Sequence, residues 1–343
     1  MPSANDNGSS GTSPLVPVLL AAGCGVDPGR PVARAANRKL SRDPDRDDIQ
    51  HMVLRLLAGR DGFAAPIVVT GPGGGGPMAD RLLAAGIADG AIVEMPAPVD
   101  GTGSHGTAAA VAAAARVAEA RHGACLLLVL PCDILARELL ALERPILQAA
   151  RLAATDGIAA SIGIRPWTVA GGFDHLVMGP ARGAGSYALS ALVAGADLQD
   201  AGRLQASGAG YWNSGTHVLP CGLLLSALAR HAPALLGGVD RALAAASRAA
   251  AHRAGDRIQL DGAPLAGLPA VAIETAIAPC LTAGALVAAS LGWGLQAGPR
   301  PGSPRAGQPG RPRGSAGADP DRGRPAAWRP EIRYTAYLDR RSA

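Results

Sequence analysis

"VLLAAGCGVDPGRPVARAANRKL", Val18 to Leu40, decides how the chain is read. It opens as a short apolar run, breaks into a loop holding Gly23, Gly25 and Gly29, and closes on Lys39 and Leu40. A buried strand that opens into a glycine-containing turn lets backbone N–H groups approach phosphate oxygens closely. This is not a Walker loop, since no G-K-[ST] follows, and it lacks the G-x-G-x-x-G frame of a dinucleotide site. The glycines alone fit a sharp strand exit equally well. Lys39 tips the reading toward phosphate, because it is the one lysine among 32 Lys plus Arg residues. An ammonium is a compact point charge on a flexible stem, which a guanidinium does not reproduce. Chance survival of a surface lysine is the competing account.

Outward from this stretch the pattern alternates. Apolar runs at 16–22, 65–71, 90–96, 124–131 and 158–165 read as strands buried on both faces. Helical stretches lie between them at 47–59, 78–87, 107–123 and 134–155, and two more are expected at 221–236 and 239–255, after a strand near "WNSGTHVLP". The alanine-rich run from Thr107 reads as helix, alanine being the strongest helix former. The expected fold class is α/β, a Rossmann-like, mostly parallel sheet flanked by helices.

With 343 residues, 48% of them hydrophobic, the chain has material for a sizeable core, although aromatics make up only 3%. Alanine and leucine carry the apolar content, so the positive mean hydropathy reflects composition and not a membrane. The apolar window Ala276 to Leu295 is interrupted by Pro279, Gly284, Gly292 and Gly294, which argues against a spanning helix. The polar first fourteen residues lack the pattern of a secretory signal, and a cytoplasmic location with no membrane partner is expected.

Five cysteines without a C-x-x-C pair speak against a disulfide framework and against zinc, and they read as small buried apolar residues. The seven histidines are scattered, and His217 reads as a strand residue. The net charge of +5 invites nucleic acid, yet ten arginines against four acids from Ala297 onward place it in the tail. No nucleic-acid partner is therefore expected. Residues 1–14 and 299–343 are expected to be disordered around one domain at 15–298. The Pro/Gly/Arg-rich tail reads as a solvated segment, a weak electrostatic tether, or the product of a shifted frame.

The turn "AAGCG" with "RPVAR" and "NRKL", then "DIQHMVLRL", "LLLVLPCD" and "YWNSGTHVLP", resembles the sugar-1-phosphate nucleotidyltransferases, in particular the mannose-1-phosphate guanylyltransferases. A looser likeness runs through "AIETAIA" and "LGWGLQAG". The resemblance implies a nucleotide-diphospho-sugar transferase type of fold, and transfer of a guanylyl group from GTP to a sugar 1-phosphate, mannose 1-phosphate. It further implies Mg²⁺ as cofactor; oligomeric state, homo-oligomer or monomer, stays open.

By the same resemblance Lys39 and Arg34 neutralise phosphate, while Ala22, Gly23, Gly25, Gln50 and Thr107 face the nucleotide. Gly172, Asn213 and Ser214 meet the sugar, and Asp133 is the metal ligand. On the residues alone, Asp133 is as well explained as a helix N-cap, and Asn213 and Ser214 as a turn. The chain departs from the family pattern at Ala194 and Gly195, where a Glu-Lys pair is usual, at Leu295 in place of an aspartate, and at Gly106 in place of an asparagine. An impaired enzyme, or an inactive homologue that binds nucleotide or nucleotide sugar as a regulatory or structural protein, is the alternative this implies.

Overall fold

Apolar runs bounded by glycine and proline become the central strands of one sheet. In the computed structural model, which describes residues 13–21, 62–98, 105–131, 136–183, 185–250 and 255–290, these are β1 (Leu15–Leu20), β2 (Ile67–Thr70), β3 (Ala91–Glu94), β4 (Leu126–Pro131) and β5 (Ala160–Ile164). Each is buried along nearly its whole length, the state of a strand covered on both faces. The helices among them are α1 (Gly75–Ala84), which starts before the expected Met78, α2 (Gly106–His122) and α3 (Ala136–Asp156). The helix expected at 47–59 lies outside the described residues.

Beyond β5 the chain forms a long hairpin, β6 (Phe173–Gly183) and β7 (Ser186–Ala196), followed by α4 (Leu198–Ala206) and β8 (Gly210–Pro220). Then come α5 (Cys221–His231), α6 (Pro233–Ala244), β9 (Ser247–Ala250), β10 (Asp256–Gln259), a 3₁₀ turn at Ala263–Leu265, α7 (Ile273–Ala276), α8 (Ala278–Thr282) and β11 (Ala285–Ala289).

The α/β class holds, but the sheet is mixed and not mostly parallel. Its eleven strands run β5-β11-β7-β6-β8-β4-β1-β2-β3-β10-β9. The block from β4 to β10 is parallel, as is β5 with β11, whereas β6, β7, β8 and β9 pair antiparallel. Two helical expectations also change. The stretch 221–236 is broken, α5 and α6 meeting at a bend of 118°, because Pro233 lacks an N–H and fits only a first helical turn. The stretch 239–255 is helical only to Ala244, and Ser247–Ala250 pairs instead with β10. Its alanines satisfy a helix, yet β10 offers an open edge, and tertiary pairing overrides propensity.

Helices cover both faces of the sheet. One face packs Val16, Val18 and Ile67 under α2, α5, α6, α7 and α8, and the other packs Leu19, Val68 and Ile92 under Met78 and Leu82 of α1 and Leu142 and Ile146 of α3. The alanine helix α2 is buried from Ala108 through Ala115 and again at Val117 and Ala118. It touches β1, β2, β4, α5, α6 and α7, so its small side chains let six elements approach one axis. Among the described residues no single helix is long and apolar enough to cross a membrane.

His175 on β6 is 1% exposed, with Nδ1 2.9 Å from the Phe173 carbonyl. Burial pushes its imidazole below the ordinary range, against the opposing pull of that carbonyl and of Asp174. The unfolded chain therefore takes up this proton first, below about pH 6.5, where a free histidine titrates. The stability conferred by the neutral ring is complete above that pH and falls away as pH drops toward the folded-state value. Melting curves between pH 7.5 and pH 5.5 should show a smaller acid-induced loss in His175→Phe than in the native chain; equal slopes would refute the assignment.

Candidate functional site

Because β8 runs antiparallel to both β4 and β5, its first half lies at the edge where β1, β4 and β5 end. The register shows it directly, with Val129 opposite His217 and Ile164 opposite Trp212. Ligands of open α/β sheets bind along this carboxyl edge. Ala22, Gly23, Gly25, Arg34, Lys39, Gln50, Asp133 and Leu295 lie outside the described residues, while Thr107, Gly172, Asn213 and Ser214 lie within them.

Two of those four are brought together by the short helix α7. Thr107, in the first turn of α2, accepts a hydrogen bond at Oγ1 from the Ile273 amide at 2.9 Å. One residue further, Oε1 of Glu274 accepts from Nδ2 of Asn213 at 3.1 Å and lies 3.4 Å from Nε2 of His217. Nδ1 of His217 is 2.9 Å from the Ser161 hydroxyl, which completes a buried chain from β5 through β8 to α7. The sequence singled out neither Ser161 nor Glu274. The available signal was a polar residue inside an apolar strand and an acid inside the apolar "AIETAIA".

Asn213 and Ser214, expected to meet sugar hydroxyls, hold protein groups in this structure. Oδ1 of Asn213 accepts from the Gly215 amide at 3.0 Å. The Ser214 hydroxyl donates to the Ile162 carbonyl at 2.7 Å and accepts from the Thr216 amide at 3.0 Å. The cause is local, since the β5–β8 register shifts between Ser161 and Gly163 and a side chain takes over the ladder bond that the irregularity costs. Trp212 is likewise covered, by Trp167 with ring centroids at 4.5 Å and by Phe173 at 5.5 Å. The ring that reaches solvent is Trp167.

The N-terminal end of α2 is closed by the segment before α7. The Ala108 amide donates to the Val271 carbonyl at 3.0 Å. Gly106 has φ +79°, and a Cβ there would overlap the Val271 carbonyl and amide. At the ends of the β6–β7 hairpin the Gly172 amide donates to the Ala196 carbonyl at 2.7 Å, and the Gly195 amide donates to Oδ1 of Asp174 at 2.8 Å. A carboxylate thus stands beside the position where the resemblance expects a lysine.

Glu94, at the carboxyl end of β3, anchors the loop after β2. It is 2% exposed, accepts from the Gly73 amide at 2.7 Å, and pairs with Arg257 of β10 at 2.7 Å. An acid closing the apolar "GAIVEMP" was the overlooked sign. Among the described residues no group of three or more His, Cys, Asp or Glu could hold a metal ion.

No protein-family model matches the chain. It is 27% identical over 281 residues to a mannose-1-phosphate guanylyltransferase of Sinorhizobium fredii, covering 81% of this chain and 52% of that protein. It is 31% identical over 229 residues to the xanthan biosynthesis protein XanB of Xanthomonas campestris, covering 67% and 46%. The chain spans about half the length of the curated relatives it matches. Among solved structures it superposes on a mannose-6-phosphate isomerase from Helicobacter pylori with TM-score 0.62 and 20% identity, covering 80% of this chain and 97% of that one. A mannose-1-phosphate geranyltransferase from Thermus thermophilus gives TM-score 0.51 and 18% identity, with coverages of 82% and 75%. These likenesses establish a shared fold.

Proposed function

We infer that this chain, a relative of the sugar-1-phosphate nucleotidyltransferases, transfers a nucleotidyl group from a nucleoside triphosphate to a sugar 1-phosphate, with GTP and mannose 1-phosphate as the pair. What supports the reading is one arrangement: the exit of β1 toward the glycine loop, the end of β4 before Asp133 and the first half of β8 share the carboxyl edge of the sheet.

In the proposed reaction the sugar phosphate oxygen attacks the α-phosphorus in line and pyrophosphate leaves. Such chemistry asks for positioning and for neutralised phosphate charge, not for a covalent nucleophile. Lys39 and Arg34 would supply the positive charge, and the backbone at Gly23 and Gly25 would face the nucleotide. Mg²⁺ belongs to the proposal through Asp133 alone. The reaction would take place in the cytoplasm.

The purified chain, given GTP, mannose 1-phosphate and MgCl₂, is expected to release pyrophosphate on the order of 10²-fold faster than its Lys39→Ala variant, the scale of one strong charge contact. No release above that variant would end the enzymatic claim. The covered N-terminus of α2 and the carboxylate of Asp174 favour a second reading, a chain that binds nucleotide or nucleotide sugar without turnover. That reading predicts a higher melting temperature with GTP or GDP-mannose and no pyrophosphate.

A further inference from the structure

Far from the carboxyl edge, two cysteines face each other across the ladder. Cys125 immediately precedes β4 and Cys221 opens α5. Their neighbours Leu126 and Pro220 are directly opposed in the antiparallel β4–β8 pair, and the Cys221 amide continues the ladder by donating to the Cys125 carbonyl at 2.9 Å. Opposed residues of an antiparallel pair project to the same face, with Cα atoms about 4.5–5.5 Å apart. That spacing lies inside the roughly 4.4–6.8 Å that a disulfide spans. Both residues are buried in the same apolar cluster under α2, where the Cys221 thiol also donates to the Ala115 carbonyl at 3.3 Å.

We propose that Cys125 and Cys221 are a cross-linking site, joined as an intrachain disulfide when the chain meets a peroxide.

The two thiols are not equivalent. Cys221 is pushed far up, first by its hydrogen bond with Cys125 and then by burial, whereas the same bond draws Cys125 down. The Cys221 thiol keeps its proton on the Ala115 carbonyl, which leaves Cys125 as the attacking sulfur and Cys221 as the resolving one. The Cys125 thiolate attacks one oxygen of hydrogen peroxide; an S–O bond forms, the O–O bond breaks, and the leaving hydroxide takes up a proton as water. Cys221 sulfur then displaces the sulfenic oxygen; the S–S bond forms, the S–O bond breaks, and a second water leaves with the Cys221 proton. Two thiols and one peroxide thus give one disulfide and two waters. Burial makes the first attack wait for local opening, which sets its rate and not its partner.

The full-length chain is treated with hydrogen peroxide under native conditions, alkylated in denaturant and digested with trypsin. Cys125 falls in His122–Arg137 and Cys221 in Leu204–Arg230. The first peptide also carries Cys132, so the experiment is repeated with Cys132→Ser. The expected product in both is the two peptides joined, about 2 Da lighter than their sum and separated by reductant. Its formation should also raise the melting temperature by roughly 5–10 °C, because the link closes a long loop in the unfolded chain. Full alkylation of Cys125 and Cys221 after peroxide, their separate oxidation to sulfinic acid, or a link from either to Cys280 would each overturn the proposal.

Discussion

Glu94→Ala is expected to destabilise the chain by about 3 kcal/mol, a fall of roughly 6–12 °C in melting temperature. The carboxylate is buried, and its loss strands two donors at once, the Gly73 amide and the Arg257 guanidinium. Breaking a buried ion pair from one side costs about 3–5 kcal/mol. The lower figure applies here because the Arg257 side chain, 33% exposed, can rehydrate in part. The double variant Glu94→Ala with Arg257→Ala should recover part of the loss, since no charge is then left without its partner. Denaturant midpoints for the single and double variants read this directly. A single variant within about 0.5 kcal/mol of the native chain would show that the pair does not hold the loop after β2.

The second large effect concerns a restoration that should fail. Gly106→Asn puts back the residue that the nucleotidyltransferase pattern carries here. Asparagine tolerates a positive φ, but its Cβ would meet the Val271 backbone. Segment 270–273 must then shift, which breaks the Ala108–Val271 and Thr107–Ile273 hydrogen bonds. At about 1 kcal/mol for each bond, with overpacking added, the loss comes to about 2–4 kcal/mol. Urea titration should show it, and isothermal titration with GTP should show no gain in affinity. A variant of native stability that binds GTP more tightly would mean that the segment is only loosely seated.

What could be read from the sequence follows from which signals are local. β1 through β5 were legible because a strand buried on both faces must be apolar throughout. The hairpin of β6 and β7 was not, because "FDHLVMGPARG" mixes charge, glycine and proline, and its pairing depends on partners more distant in the chain. The antiparallel share of the sheet went unread for the same reason. At the site, the resemblance assigned Thr107 to the nucleotide and Asn213 to the sugar, while in the structure both bond to neighbouring residues of α7. Their bonding partners could not be foreseen. Glu274 lies 61 residues beyond Asn213, and His217 lies 56 residues beyond Ser161, so nothing in the local pattern joins them.

The alanine helix α2 has a consequence for how this chain can diverge. From Ala108 to Ala115, enclosed by the sheet and by α5, α6 and α7, it has no outward face on which substitutions could accumulate harmlessly. A larger side chain would wedge its neighbours apart, and glycine would loosen the coil itself. Alanine is held there from both directions, and related chains that keep this layering should keep that stretch while their loops drift.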